Sequence, residues 1–206
     1  TVTSSDVDGG APVYSIAGGA DAALFTINAT TGVLSFNSAP NFEAPADSGG
    51  NNVYDVTVRV SDGSGGLDTQ AIAVAVTNVN EAPLITSNGG GATAAVSVAE
   101  NQTVVTTVAS SDVDGGAAVY SIAGGADAAL FTINASTGEI TVADGSLLNY
   151  ENAASHSVTV RVTDAGGLTY DETFTINLTN MNEAPTGADA TVTLTEDTSH
   201  ALTAAN

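Results

Sequence analysis

The sequence predicts an all-β protein built as tandem β-sandwiches, and three observations carry that expectation. Val13 to Ala29 reads VYSIAGGADAALFTINA and returns unchanged as Val119 to Ala135, so a unit of about 100 residues is repeated. β-branched runs such as Val53 to Ser61 and Ser157 to Val162 recur between Gly-Gly pairs, and turns fall every 8 to 12 residues. A unit of this length buries its own core, so the repeat describes an array of domains and not a solenoid.

The elements follow in order. Asp6-Val7-Asp8-Gly9-Gly10 returns as Asp112-Val113-Asp114-Gly115-Gly116, and Thr31-Gly32 as Thr137-Gly138, both displaced by 106 residues. Phe25-Thr26-Ile27 and Phe131-Thr132-Ile133 place Phe and Ile on one strand face. Gly19 to Ala23 and Gly125 to Ala129 carry helix propensity over too short a stretch, which predicts single helical turns. Val58-Arg59-Val60 and Asp62 return as Val160-Arg161-Val162 and Asp164, now displaced by 102, so loops between Gly32 and Val58 absorb a difference of four residues. Ala71 to Val76 and Thr173 to Leu178 close each unit, and Asn78-Val79-Asn80-Glu81-Ala82-Pro83 returns as Asn180-Met181-Asn182-Glu183-Ala184-Pro185.

These joints divide the chain into 1–83, 84–185 and 186–206, the last being the opening strand of a third unit. Thr1 to Asp6 matches Thr107 to Asp112, so the first unit lacks the segment that opens the second, and the chain reads as a window on a longer protein. Twenty-three acidic residues stand against two arginines and no lysine, a formal charge of -21. Such a balance repels nucleic acid and anionic membranes and favours cations; its plain alternative is a solvated surface suited to high salt. The absence of cysteine excludes a thiolate zinc site, and no apolar run is long enough to insert in a membrane.

The DxD pairs, the YSI to TG run, Leu148-Asn149-Tyr150-Glu151, the strands ending in Asp62 and Asp164 and the NxNEAP joints together resemble cadherin-type repeats, in the form found in very large bacterial surface adhesins. The resemblance implies seven-stranded Greek-key sandwiches, an extracellular or cell-surface location and Ca2+ at the joints between repeats. It implies one ligand set of Asn41, Glu43, Asn78, Asn80, Glu81, Asp112, Asp114 and Asp164, with backbone near Asn78 or Val79 contributing; independently, a curved loop lets Asp112 and Asp114 converge on an ion while Val113 turns inward. Asp6, Asp8 and Asp62 take the same places at the start of the first unit. Glu100, Asn149, Glu151, Asn180, Asn182 and Glu183 take them at the next joint, and Glu196 aligns with Glu100. Calcium takes six to eight hard oxygens, which these side chains supply.

Each residue has a plainer reading. Asp62 and Asp164 fit hairpin turns, Glu43 and Glu151 fit solvated surface charges, and Asn80 and Asn182 fit loop caps. Tyr14, Tyr120, Phe25, Phe131, Ile27 and Ile133 read as core, His156 as a packing residue in the place of Tyr54, and the arginines as partners of nearby carboxylates. Catalysis is not expected: no GxSxG or triad occurs, and carboxylates two residues apart do not flank a substrate cleft. The expected function is a calcium-rigidified spacer or stalk of a large adhesin, packed on neighbouring repeats of its own protein. The alternative is a module that binds another copy or a surface polysaccharide directly. Ala190 to Thr195 also reads as a strand without the rest of its unit, while the first unit exposes an open sheet edge, which suggests head-to-tail association by strand donation.

Overall fold

The computed structural model describes residues 1–144 and 148–187, together with Thr193 and Glu196. The opening strand expected over Ala190 to Thr195 therefore lies outside the described residues, apart from Thr193. The first unit holds β1 (Val13–Gly18), β2 (Phe25–Ile27), β3 (Leu34–Phe36), β4 (Val53–Ser61) and β5 (Leu67–Ala75). The second holds β6 (Leu84–Ile85), β7 (Thr93–Ala99), β8 (Val104–Thr107), β9 (Ser110–Ser111), β10 (Val119–Gly124), β11 (Phe131–Ile133), β12 (Glu139–Val142), β13 (Ser155–Thr163) and β14 (Thr169–Thr179). No helix among the described residues is long and apolar enough to cross a membrane.

The second unit forms a two-sheet sandwich. One sheet runs β10-β13-β14-β7 and the other β11-β12-β8, with β6 paired to β9 beside them. All pairs are antiparallel except β14 with β7, whose parallel register runs from Thr173↔Thr93 to Thr179↔Ala99. Alternation sets the inner face: His156, Val158, Val160 and Val162 of β13 are buried in turn, as are Glu172, Phe174, Ile176 and Leu178 of β14. The apolar ones meet Ile85, Val108, Phe131, Ile140, Val142 and Leu148 in one core.

The repeated sequence folds into a repeated structure. β1 pairs with β4 from Val13↔Ser61 to Gly18↔Thr57, with a bulge between Ile16 and Gly18, and β10 pairs with β13 in the same register with the same bulge. A 3-10 turn follows in each, at Ala22–Leu24 and Ala128–Leu130, where the sequence predicts single helical turns. Gly19 and Gly125 enter these turns with φ of 110° and 107°, and a side chain there would run into the backbone of Asp55 and Val56, or of Ser157 and Val158. Asp21 ties its turn to β4 by accepting from the Asp55 amide, and Asp127 accepts from Ser157 likewise. Tyr14 and Tyr120 are buried and share hydroxyl hydrogen bonds with Ser4 and Ser110.

The first unit has β1-β4-β5 and the pair β2-β3, but no counterpart of β6, β7 or β8. Its buried core is Phe25, Tyr54 and Val56, flanked by half-buried Ile16, Leu34, Phe36, Ile72 and Val74. The longer loop expected between Gly32 and Val58 contains a turn around Asp47, whose carboxylate accepts from the amides of Asn51 and Asn52.

Candidate metal centre at the joint

Three loops deliver carboxylates to the joint between the units. Glu43 lies on the connection from β3 to β4, Glu81 on the linker after β5, and Asp114 in the loop after β9. One carboxylate oxygen from each lies within 4.8 Å of the others. Glu43 Oε1 is sealed from solvent and has no hydrogen-bond partner, an arrangement that ordinarily costs free energy unless another group meets the oxygen.

The linker amides set the geometry. Asn78 Nδ2 donates to Asp114 Oδ1 at 2.7 Å, and the Glu81 backbone N–H donates to Asp114 Oδ2 at 2.8 Å. Asp112 Oδ1 accepts from the Asp114 backbone N–H at 2.9 Å, so the first aspartate of the DxD pair braces the second. Asn80 Nδ2 donates to Asp164 Oδ2 at 2.7 Å, while Asp164 Oδ1 accepts from the Leu168 amide. Gly166 makes this approach possible: a Cβ there would stand 2.5 Å from Asn80 Oδ1.

The electrostatics show crowding. Burial, then the charges of Glu43 and Asp114, push the Glu81 carboxyl above its ordinary value. The Glu81 backbone N–H and the Asn78 amide hold Asp114 below its own. At Asp164, burial acts to raise the carboxyl but is outweighed by the Asn80 amide and the Leu168 backbone N–H, so the group lies low.

A second group assembles at the far end of the second unit from Glu100, Glu151 and Glu183. Glu100 is 1% exposed and accepts from the backbone N–H groups of Met181 at 2.6 Å and Tyr150 at 2.8 Å, donors that hold its carboxyl low. Asn180 Nδ2 donates to Glu151 Oε1 at 2.6 Å. Burial, then Glu100 and Glu151, raise the Glu183 carboxyl. Glu100 follows β7, so the first group has no equivalent of it.

Several expected site residues stand apart from these groups. Asn41 caps its own turn, accepting from the amides of Glu43 and Ala44, and Asn149 does the same for Asn152. Asp62 accepts from the amides of Ser64 and Gly66, which is the plain hairpin arrangement. Asp6 braces Asp8 as Asp112 braces Asp114, with no carboxylate cluster around them among the described residues. Asn182 and Glu196 are exposed. Val113 does not turn inward: it is 66% exposed, because the loop is held by its own Asx turn and not by a side chain anchored in the core. The role of Gly166 has a sequence signal only in hindsight, as one of the Gly-Gly pairs read as turns.

Comparison with known proteins now fits the geometry. The Cadherin domain model matches residues 94–179. Protocadherin Fat 2 of Rattus norvegicus is 33% identical over 183 residues, covering 84% of this chain, and that of Mus musculus is 32% identical over the same length. This chain spans 4% of the length of each. Human protocadherin-24 EC1-2 superposes with a TM-score of 0.58 at 23% identity, over 85% of each chain. Mouse cadherin-23 EC22-24 gives 0.56 at 19% identity, over 85% of this chain and 57% of that one. The fold is therefore all-β, a tandem of cadherin-type β-sandwich domains. The resemblance to bacterial adhesins is corrected by these matches: the named relatives are mammalian cadherins and protocadherins. Short motifs shared across a β-sandwich family report the common joint and core, and they do not carry the lineage.

Proposed function

We propose that this chain is a run of repeats from an extracellular, calcium-dependent adhesion protein, in which Ca2+ at each joint fixes one repeat on the next. The observation that carries the reading is the convergence of Glu43, Glu81 and Asp114 from the first unit, the linker and the second unit. A divalent ion bound by hard oxygens converts their mutual repulsion into attraction and meets the unpartnered Glu43 oxygen. Asp112, Asp164, Asn78 and Asn80 complete the surroundings, and Glu100, Glu151, Glu183 and Asn180 form the equivalent set for the following joint. The repeats run 1–83 and 84–185, with a third beginning at 186. With each joint stiffened, the repeats act as a spacer that projects an adhesive surface.

Calorimetric titration with calcium tests this directly. The intact chain takes up calcium at the joint, and the double variant Asp112→Ala, Asp114→Ala loses that uptake while keeping binding at the Glu100 group. Unchanged uptake in the double variant would remove the site assignment.

A further inference from the structure

We propose that Glu172 makes closure of the 84–99 segment over the second sandwich pH-sensitive: the segment seals over this side chain as a neutral acid and is released when the acid loses its proton. Glu172 lies on the inner face of β14 and is 0% exposed, and both carboxyl oxygens are sealed from solvent without a hydrogen-bond partner. Its cross-strand neighbour is Val160, itself fully buried. The next residue, Thr173, pairs with Thr93 at the start of β7 and donates its amide to the Ala92 carbonyl at 3.0 Å. β6 packs on the same strand.

The first unit provides the contrast. Gln70 occupies the same register opposite Val58, and it is exposed. In the second unit β7 pairs with β14 and β6 packs on it, so the 84–99 segment lies against the strand that carries Glu172.

No charge compensates the buried acid. Among the described residues the other titratable groups on the inner faces are Tyr170 on β14, Tyr120 on β10, His156 on β13, Asp164 beyond the end of β13 and Glu100 beyond the end of β7. His156 stands beside Asp127 and opposite Ile176; Asp164 is engaged by Asn80 and Leu168, and Glu100 by Tyr150 and Met181. The facing sheet presents Phe131, Ile140 and Val142, and β6 presents Ile85. A carboxylate without partners in such a place is costly, so the folded state keeps the proton; burial alone raises this group above its ordinary value. An opened state exposes Glu172 and returns it to that ordinary value. Closure is thus fully favoured below the ordinary value and weakens as pH rises toward the folded value, with opening increasing about tenfold per pH unit across that interval.

The test is native-state hydrogen exchange of the β7 amides in the full chain from pH 5 to 8, corrected for intrinsic rates and run both in calcium and in chelator. Opening of β7 increases about tenfold per pH unit between the ordinary glutamate value and the raised value of the folded state. Glu172→Gln flattens that slope, and Gln70→Glu, which puts a carboxyl at the exposed equivalent, adds none. A slope absent from the wild-type chain, or retained in Glu172→Gln, overturns the proposal. Should Glu172→Gln fail to fold, carbon-13 titration of the Glu172 carboxyl in the wild-type chain decides: a midpoint at the ordinary glutamate value overturns it. Failure of calcium binding would leave the chelator arm unaffected, so the two readings fall separately.

Discussion

The two units share a seventeen-residue segment, the same register and the same bulge, yet they bury their cores to different depths. Phe174 and Ile176 of β14 are 0% exposed, whereas Ile72 and Val74, at the matching positions of β5, are half-buried. Val162 is fully buried and its counterpart Val60 is not. What differs is the 84–99 segment together with β8, which cover the second unit's sheets. The comparison teaches that the segments present in both units specify strand pairing and turn geometry on their own, while burial of the inner face in the second unit draws on β6, β7 and β8, which precede the stretch at which the first unit begins here.

The largest expected effect tests that division in the core. Phe174→Ala should destabilise the second unit by about 3–5 kcal/mol, because it opens a cavity in a closed core. Ile72→Ala in the first unit should cost about 1 kcal/mol, since the side chain already touches solvent. Denaturant melts that resolve the two units measure both. Equal costs would mean that the units are closed alike.

Calcium removal comes next and acts on the joint, not on either core. An ion that binds only the folded form at a hundred times its dissociation constant contributes about 2.7 kcal/mol. Chelator should therefore lower the thermal transition and loosen the joint, seen as a change in maximum dimension by small-angle scattering. Identical transitions and dimensions with and without calcium would leave the acidic joint as solvated surface.

The pH response of the joint is smaller and has two signs. Asp114, Asp164 and Glu100 are held low, so their stabilisation is present above the ordinary carboxylate value and is lost as pH falls from there through the depressed values of the folded state. Glu81 and Glu183 are raised, so their contribution is complete below that value and is lost as pH rises. Calcium requires the ionised form, so binding should release protons, and more of them at mildly acidic pH than at neutrality. Titration in two buffers of different ionisation heat measures this, and Glu81→Gln should reduce the release at the first joint.

Much of this was legible in the sequence because repetition turns single motifs into a pattern. The strands from Val53 and from Ser157, the 3-10 turns, the core aromatics and the acidic loops lie where local pattern places them. His156 packs edge-on against Phe131, as a residue in the place of Tyr54 should. The illegible parts depend on contacts far apart in the chain. β5 and β14 begin earlier than the apolar run suggests, at Leu67 and Thr169, because hairpin pairing extends regular structure through polar residues. The direction of Val113 and the division of labour between Asp112 and Asp114 follow from an Asx turn, which no spacing rule distinguishes from two converging ligands. Glu172 belongs to no motif in the sequence, and its burial depends on strands distant in the chain, among them a segment some eighty residues earlier.

The smallest expected effect concerns the arginines, which the sequence reads alike. Arg161 makes a two-pronged contact with Asp171, Nε to Oδ1 at 2.7 Å and Nη2 to Oδ2 at 2.8 Å, and the pair raises the guanidinium while lowering the carboxyl. Arg59 sits opposite Thr69 and has no ion pair among the described residues. Both side chains of the Arg161 pair are more than a third exposed, at 44% and 40%, so solvent screens the attraction. A double-mutant cycle of Arg161→Ala with Asp171→Asn should return about 0.2–1 kcal/mol, falling as salt is added. Arg59→Ala should change stability by less than that. A coupling energy as large as the Phe174 effect would place the difference between the units in their surface charges, contrary to the closing role of the 84–99 segment.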